Sequence, residues 1–189
     1  NGATVLWTYA PGFAGTDGGD VARMAELTGI QIDCLPKGIA AGSLNEMKRH
    51  PITSGLTTPP ACAFSLAPAF TVVDKRATVL ARNKACAGLA VREFPAWRSV
   101  YSLLAPDREL LLGVYRYAGV HVYCDTFDTV GASRDYLMIH TASAGPKTLR
   151  LPQKCDVTEQ ISGKVVGKGI DTIHETLPKG ETRIYRLAH

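Results

Sequence analysis

Three sets of side chains in this sequence have types and spacings that could support chemistry. Thiolate catalysis would draw on one of five widely spaced cysteines: Cys34, Cys62, Cys86, Cys124 and Cys155. Asp125 and Asp128 lie close enough in sequence to be tested as the carboxylate pair of a glycosidase. His121, Tyr123 and Asp125 alternate along a predicted strand, so their side chains would share one face and could contact a ligand or a metal.

The surroundings of the cysteines argue against thiol catalysis. No C-x-x-C pair is present, and no cysteine lies in a small-residue turn between a strand and a helix, where a hydrolase nucleophile is held. His121 and His140 do not belong to a His-x-Glu pair. We therefore predict that the thiols are buried apolar groups. Disulfide pairing and the compartment, cytoplasmic or exported, stay open.

The aspartates and the histidine row favour packing or binding over catalysis. Asp125 and Asp128 flank the end of a predicted strand, as turn carboxylates do, and a catalytic barrel of about 250 residues does not fit in this chain. A metal site would need a tighter group of ligands. The sequence therefore predicts no catalytic residue, no cofactor and no metal. The candidate contact residues, facing a ligand or a neighbouring domain, are Tyr9, Trp97, His121 and Tyr123. Core packing is the alternative for each of them.

Charge and composition exclude several partners. The net charge is +4, and the cations are spread between predicted hairpins rather than concentrated in a patch, so no nucleic-acid site is predicted. No run of about 18 apolar residues is present, so no membrane span is predicted. The glycine-rich loop of residues 11–20 lacks the G-x-G-x-x-G and G-K-[ST] patterns, and Asp20 would repel an anion at the helix start.

The elements that would position these residues fall into two regimes. In the first, strand and helix signals alternate. Residues 4–9 are a β-type run, one helix is predicted between Asp20 and Gly29, and a second between Asp107 and Gly119. A helix followed directly by a strand is typical of α/β folds.

The first regime ends with residues 120–125, which alternate in polarity and are predicted as a strand. The second regime has strand signals only. From Thr126 onward, short strands are separated by turns every 8 to 12 positions or so, as in an antiparallel β-sandwich. We predict one domain over residues 1–127 and a second over residues 128–189.

The last third of the chain, from Ala118 onward, resembles the C-terminal β-domain of multidomain glycoside hydrolases. The resemblance is carried, in this order, by AGVHVY (118–123), HTASAG (140–145), LP (151–152), DVTEQISG (156–163) and LPKGETRI (177–184). The first regime is similar to the later part of a glutamine-amidotransferase-like α/β module, which follows the catalytic barrel in β-galactosidases that carry a trimerisation domain. That similarity is carried by APG (10–12), LTGI (27–30), AFTVVD (69–74), ATVLAR (77–82), GLAVREF (88–94) and PDRELLLGVYRYAGV (106–120).

The resemblance implies a fold and a role. The fold would be α/β then all-β: a partial amidotransferase-like, flavodoxin-like layer followed by a small antiparallel β-sandwich. The role would be noncatalytic assembly and support of a glycoside hydrolase acting on carbohydrate. The partner would be an upstream catalytic domain or another subunit, with a homo-oligomer also open, and Tyr9 and His121 would face it. The alternatives are a stand-alone carbohydrate-binding module and a small hydrolase of amidotransferase-like fold.

Overall fold

The structure, a computed structural model, describes residues 2–189, and these form two compact units. The first unit ends at Gly119 and the second is Val120–His189. Each unit is built around its own cluster of buried apolar side chains. The predicted boundary between residues 127 and 128 falls inside the second unit.

The first unit combines two short helices with strands that are mostly brief. The helices are α1 (Val21–Thr28) and α2 (Arg108–Ala118). The strands are β1 (Ala3–Thr8), β2 (Ala14–Gly15), β3 (Gly18–Gly19), β4 (Ile32–Leu35), β5 (Gly42–Ser43), β6 (Glu46–Met47), β7 (Ala61–Cys62), β8 (Ala69–Val72), β9 (Thr78–Arg82), β10 (Ala87–Glu93) and β11 (Trp97–Ser102).

Both helices begin and end where the sequence predicts. Asp20 caps α1 by accepting a hydrogen bond of 2.7 Å from the backbone N–H of Ala22. Asp107 caps α2 through a 2.8 Å bond from the N–H of Leu110. Gly29 and Gly119 then end α1 and α2 in the left-handed conformation, which a side chain would oppose. These two element predictions are confirmed.

The predicted α/β layer is wrong. Strands make up 47% of the chain and helices only 10%, too little helix to cover a parallel sheet. The main sheet of the first unit has the order β1-β11-β10-β9-β6, in which β1 and β11 are parallel and the other pairs are antiparallel. Eight strands, β4 to β11, follow one another between α1 and α2 with no helix between them. Neighbouring parallel strands are usually joined through a crossover helix, whereas tight turns join antiparallel strands.

The second unit contains one antiparallel sheet rather than a two-sheet sandwich. Its strands are β12 (Thr129–Ala132), β13 (Tyr136–His140), β14 (Gly145–Glu159), β15 (Val165–Leu177) and β16 (Thr182–Ala188). They pair in the order β12-β13-β16-β14-β15. Register shifts between Arg150 and Thr158 bend the long β14–β15 hairpin. The bend lets one face of the sheet fold around its own core, which includes Leu137, Leu149 and Ile173.

The predicted strand at residues 120–125 is also wrong. Residues 120–128 are irregular, and the first strand of the second unit begins at Thr129. The polar residues of this segment bond to β14 without forming a ladder with it.

Candidate functional site

Tyr9 is a packed residue at the end of β1. Its backbone adopts φ 59°, which is uncommon for a residue with a side chain. The conformation is held on several sides: the N–H of Tyr9 donates to Ser102 O at 2.9 Å, and the Tyr101 hydroxyl donates to Tyr9 O at 2.7 Å. The Tyr9 hydroxyl donates to Pro68 O at 3.0 Å, and its ring packs edge-on against Phe70. Its polar atoms therefore have partners within the first unit.

Trp97 belongs to a stack of side chains at the β10–β11 turn. Its ring lies parallel to the Phe94 ring, with centroids 4.6 Å apart, and the guanidinium of Arg92 lies 4.6 Å from the centre of Phe94. Arg92 also donates to the carbonyl of Gly29, and a Cβ added at Gly29 would lie 2.4 Å from the Phe94 ring. The stack thus packs the turn against the end of α1.

Tyr9 and Trp97 do not form one site. Trp97 pairs with Ala3 at the start of the β1–β11 ladder, whereas Tyr9 bonds to Ser102 at its other end. Whether either residue faces a ligand or a partner stays a prediction.

His121, Tyr123 and Asp125 are brought together by one residue of β14. His121 Nε2 donates to the carbonyl of Arg150 at 2.8 Å, and the N–H of Arg150 donates to Tyr123 O at 2.8 Å. The guanidinium of Arg150 donates to Asp125 Oδ2 at 3.3 Å. The rings of His121 and Tyr123 meet edge to face, with centroids 4.6 Å apart. The row therefore attaches the irregular segment to β14.

Asp128 forms an ion pair that sequence reasoning missed. Its Oδ2 accepts from Lys147 Nζ at 2.7 Å and from the Thr126 hydroxyl at 2.5 Å, and its Oδ1 accepts from the N–H of Ala142 at 2.8 Å. Both charged side chains are buried, with 2% of Lys147 and 0% of Asp128 exposed. Burial raises the pKa of Asp128, but the hydrogen bonds from Lys147, Thr126 and Ala142 outweigh it and hold that pKa below its usual value.

The two aspartates tested as a glycosidase pair thus each have a cation of their own. Arg150 serves Asp125 and Lys147 serves Asp128. A catalytic acid needs a raised pKa, whereas that of Asp128 is lowered. This arrangement fits structural carboxylates.

The cysteines with resolved pKa shifts are poor nucleophiles. Cys86 is buried and its Sγ donates to Phe70 O at 3.5 Å. Burial raises the pKa of both Cys86 and Cys155, so both stay protonated at neutral pH. All five cysteines are free thiols.

The second unit has an open groove of about 450 Å³ between the β14–β15 loop, β15 and β16. Glu159 lies at this groove with 3% exposure. Its carboxylate accepts from the Ser162 hydroxyl at 2.5 Å, from the Ser162 N–H at 2.7 Å and from the Ile161 N–H at 3.1 Å. These hydrogen bonds, of which the two from Ser162 have the largest effect, lower the pKa of Glu159 to about 2. Glu159 is therefore ionised at neutral pH.

Two further charged residues line the groove. Arg183 forms an ion pair of 3.1 Å with Glu181 and lies 4.0 Å from Glu159. Its Nε is buried and has no hydrogen-bond partner among the described residues. Glu175 Oε2 accepts from the Tyr185 hydroxyl at 2.9 Å, across the fold of the sheet.

A sequence signal for these residues does exist. Each charged residue lies in phase with apolar ones along its strand: Lys147 with Leu149, and Arg183 with Tyr185. Because alternate residues share a face, this spacing places a charge on the buried side. Glu159 follows Val157 in the same way.

Metal ligands and membrane spans are not evident in residues 2–189. No three or more His, Cys, Asp or Glu side chains of this range are grouped so that they could hold a metal ion. Neither helix has the length and apolar character to cross a bilayer.

Comparisons with known proteins give matches in structure alone. No family model matches the chain, and no curated protein matches it significantly. A β-galactosidase from Bacillus circulans sp. alkalophilus is similar over 99% of this chain and 29% of its own, with a TM-score of 0.60 and 19% identity. A GH42 β-galactosidase from G. stearothermophilus covers 100% and 28%, with a TM-score of 0.58 and 14% identity. A β-galactosidase from Rahnella sp. R3 covers 97% and 28%, with a TM-score of 0.50 and 13% identity.

These likenesses show a shared fold. The chain spans less than a third of the length of each of these β-galactosidases, and its fold corresponds to a part of them. The glutamine-amidotransferase-like character expected for the first unit is not found, because its sheet is mainly antiparallel.

Proposed function

We propose that the chain is a noncatalytic accessory region of a glycoside hydrolase that acts on carbohydrate. The observation that carries the proposal is coverage: almost the whole chain superposes on about 28% of much larger β-galactosidases. A chain that corresponds to part of an enzyme in this way would support or assemble a catalytic domain rather than replace it.

The chemistry of the described side chains supports a noncatalytic role. Glycoside hydrolysis needs a carboxylic acid with a raised pKa and a second carboxylate across the substrate. Asp128 and Glu159 instead have lowered pKa values, and Asp125 pairs with Arg150.

The edge of β1 supplies a surface for the catalytic part. In the described chain β1 pairs only with β11, at the end of its sheet. Its residues Val5, Leu6 and Trp7 are half-buried, and Thr4 Oγ1 is buried without a hydrogen-bond partner among the described residues. Because an unpaired strand edge is usually covered, we assign this edge to contact with the catalytic part. Tyr9 follows β1 directly and stays our candidate contact residue at this edge. Trp97, His121 and Tyr123 stay candidate contact residues at other places in the chain.

A turnover assay tests the proposal. The purified chain is incubated with a panel of aryl glycosides, with aryl esters and amides as further substrates. We expect no turnover above buffer. Turnover that a single substitution in this chain abolishes would contradict the proposal. The coding frame upstream of Asn1 gives an independent test, because the proposal expects it to encode a catalytic barrel of about 250 residues.

A further inference from the structure

The groove of the second unit places charged side chains where a sheet interior normally has apolar ones. Glu159, Glu175 and Arg183 occupy the inward phase of β14, β15 and β16. Val157 and Tyr185, on the same inward faces, are fully buried beneath them. Glu159 is buried, whereas Arg183 keeps 33% of its side chain exposed. Charged groups held against an apolar core favour a role beyond packing, because burying charge is costly.

The groups of the groove are already held in place. Ser162 orients Glu159, the Tyr185 hydroxyl orients Glu175, and Glu181 orients Arg183. A ligand would therefore meet fixed donors and acceptors and would not have to order them, which lowers the entropic cost of binding.

Not every hydrogen-bond donor of Arg183 has an acceptor among the described residues. Its terminal nitrogens face Glu181 and Glu159, whereas its Nε is buried without an acceptor among the described residues. Because Nε is closed to solvent, the donor within reach of a ligand oxygen would be Nη1, which lies 4.0 Å from Glu159 on a side chain that is 33% exposed.

The charges of the groove point to the class of ligand. Arg183 and Lys164 oppose Glu159 and Glu175, and Glu181 pairs with Arg183, so the formal charge of these five side chains is −1. Such a site disfavours an anion, and it mixes hydrogen-bond donors and acceptors, as a hydroxyl group does. The volume of about 450 Å³ lies within the range of small-molecule sites.

We infer that this groove is a noncatalytic binding site for a neutral carbohydrate of one or two pyranose rings. The inference goes beyond the proposed function, because an accessory region needs no sugar site of its own. Sugar hydroxyls would accept from Arg183 and Lys164 and donate to Glu175.

Amide chemical shifts of the ¹⁵N-labelled chain, titrated with D-galactose and with lactose, test the inference. An open site of this size predicts a Kd on the order of 1 mM. We expect shifts at residues 159–166, 174–177 and 183. Arg183→Gln and Glu175→Gln should each weaken binding about 10-fold, because each removes a charged hydrogen-bonding group. Arg186→Gln, an exposed arginine on the same strand, is the matched control and should leave binding unchanged.

Several results would overturn the inference. These are no shifts with either sugar, shifts confined to other regions, or equal binding by the Arg183→Gln and Arg186→Gln proteins. Tighter binding of D-glucuronate than of D-galactose would also overturn it, because the site would then be one for anions. Thermal unfolding checks that each variant is folded; if Arg183→Gln is not, Glu175→Gln and Lys164→Ala decide. The turnover assay is independent of these results.

Discussion

At the scale of the residue, we expect the buried pair of Lys147 and Asp128 to contribute strongly to the stability of the second unit. Removing one partner of a buried ion pair leaves the other charge without compensation, which costs about 3–5 kcal/mol. We therefore expect Lys147→Met to lower the free energy of unfolding of the second unit by that amount in urea titrations. Lys154→Met, at an exposed position of the same strand, should change it by less than about 0.5 kcal/mol. Equal effects of the two substitutions would show that the pair is not a major source of stability.

The lowered pKa values of Asp128 and Glu159 predict sensitivity to acid. A carboxyl group with a lower pKa in the folded state binds protons more readily when unfolded. Its contribution is complete above the unfolded pKa and is lost as the pH falls through the folded one, which is about 2 for Glu159. We expect the urea midpoint of the second unit to fall as the pH is lowered from about 5 to about 2.

Glu159→Gln is the control for the acid sensitivity. The variant should be less stable than the parent at neutral pH and should depend less on pH between about 5 and about 2. An NMR titration of the Glu159 carboxyl that gives an ordinary glutamate pKa would refute the explanation.

At this scale, the sequence indicates part of the arrangement. The alternate spacing of His121, Tyr123 and Asp125 predicts a shared face, and all three contact one residue, Arg150, although the predicted strand is absent and their role as contact residues stays a prediction. The partner could not be predicted because it lies 25 or more residues away and acts partly through its backbone. The inward charges of β14 and β16 lie in phase with apolar residues, but this local pattern does not identify their partners.

At the scale of the element, α2 contains a glycine that packing requires. A Cβ at Gly113 would lie 2.1 Å from the carbonyl oxygen of Ile52. Alanine is favoured over glycine in a helix by about 1 kcal/mol, but forcing atoms into a filled space costs about 1–3 kcal/mol. We expect Gly113→Ala to lower the melting temperature of the first unit.

Gly55→Ala is the matched control for Gly113→Ala. Its added Cβ would meet only Arg116, 3.7 Å away, and we expect the melting temperature to change little. A stabilising effect of Gly113→Ala would mean that the Ile52 loop can move aside.

Helices were easier to predict than strands, for a physical reason. The caps of α1 and α2 are made by residues close in sequence, such as Asp107 with Leu110. The partner of a strand is set by distant residues: residues 120–125 alternate in polarity yet form no strand, and they bond to β14 at Arg150. Local patterns specify the first kind of element and only suggest the second.

At the scale of the whole molecule, the free edge of β1 should determine behaviour in solution. An uncovered edge with half-buried apolar residues promotes association. We expect sedimentation of the isolated chain at micromolar concentration to show association that increases with concentration. Val5→Lys should reduce it, because a charge on an edge strand opposes further pairing.

Val73→Lys is the control for Val5→Lys, since Val73 is an exposed valine of the same unit that lies outside β1. It should leave the association unchanged. A monodisperse monomer over the whole concentration range would contradict the assignment of the β1 edge to a partner.

The architecture was the least predictable level. The order of short sequence similarities matched a part of a β-galactosidase, and the structural comparisons agree with that. The α/β layer inferred with it is absent, since β4 to β11 are joined without helices. Strand pairing depends on residues from the whole chain, so local helix and turn patterns do not predict it.

The long β14–β15 hairpin has a kinetic consequence. Its innermost partners, Thr158 and Val165, are seven positions apart, whereas β13 and β16 must meet across the entire hairpin. Short loops close in about 10–100 ns and hairpins form in about 1–10 μs, so this turn is the natural nucleus from which the second unit would zip outward. Val157→Ala should then slow refolding, whereas Leu137→Ala should mainly speed unfolding. Stopped-flow measurements that reverse this pattern would place the nucleus elsewhere, outside the β14–β15 turn.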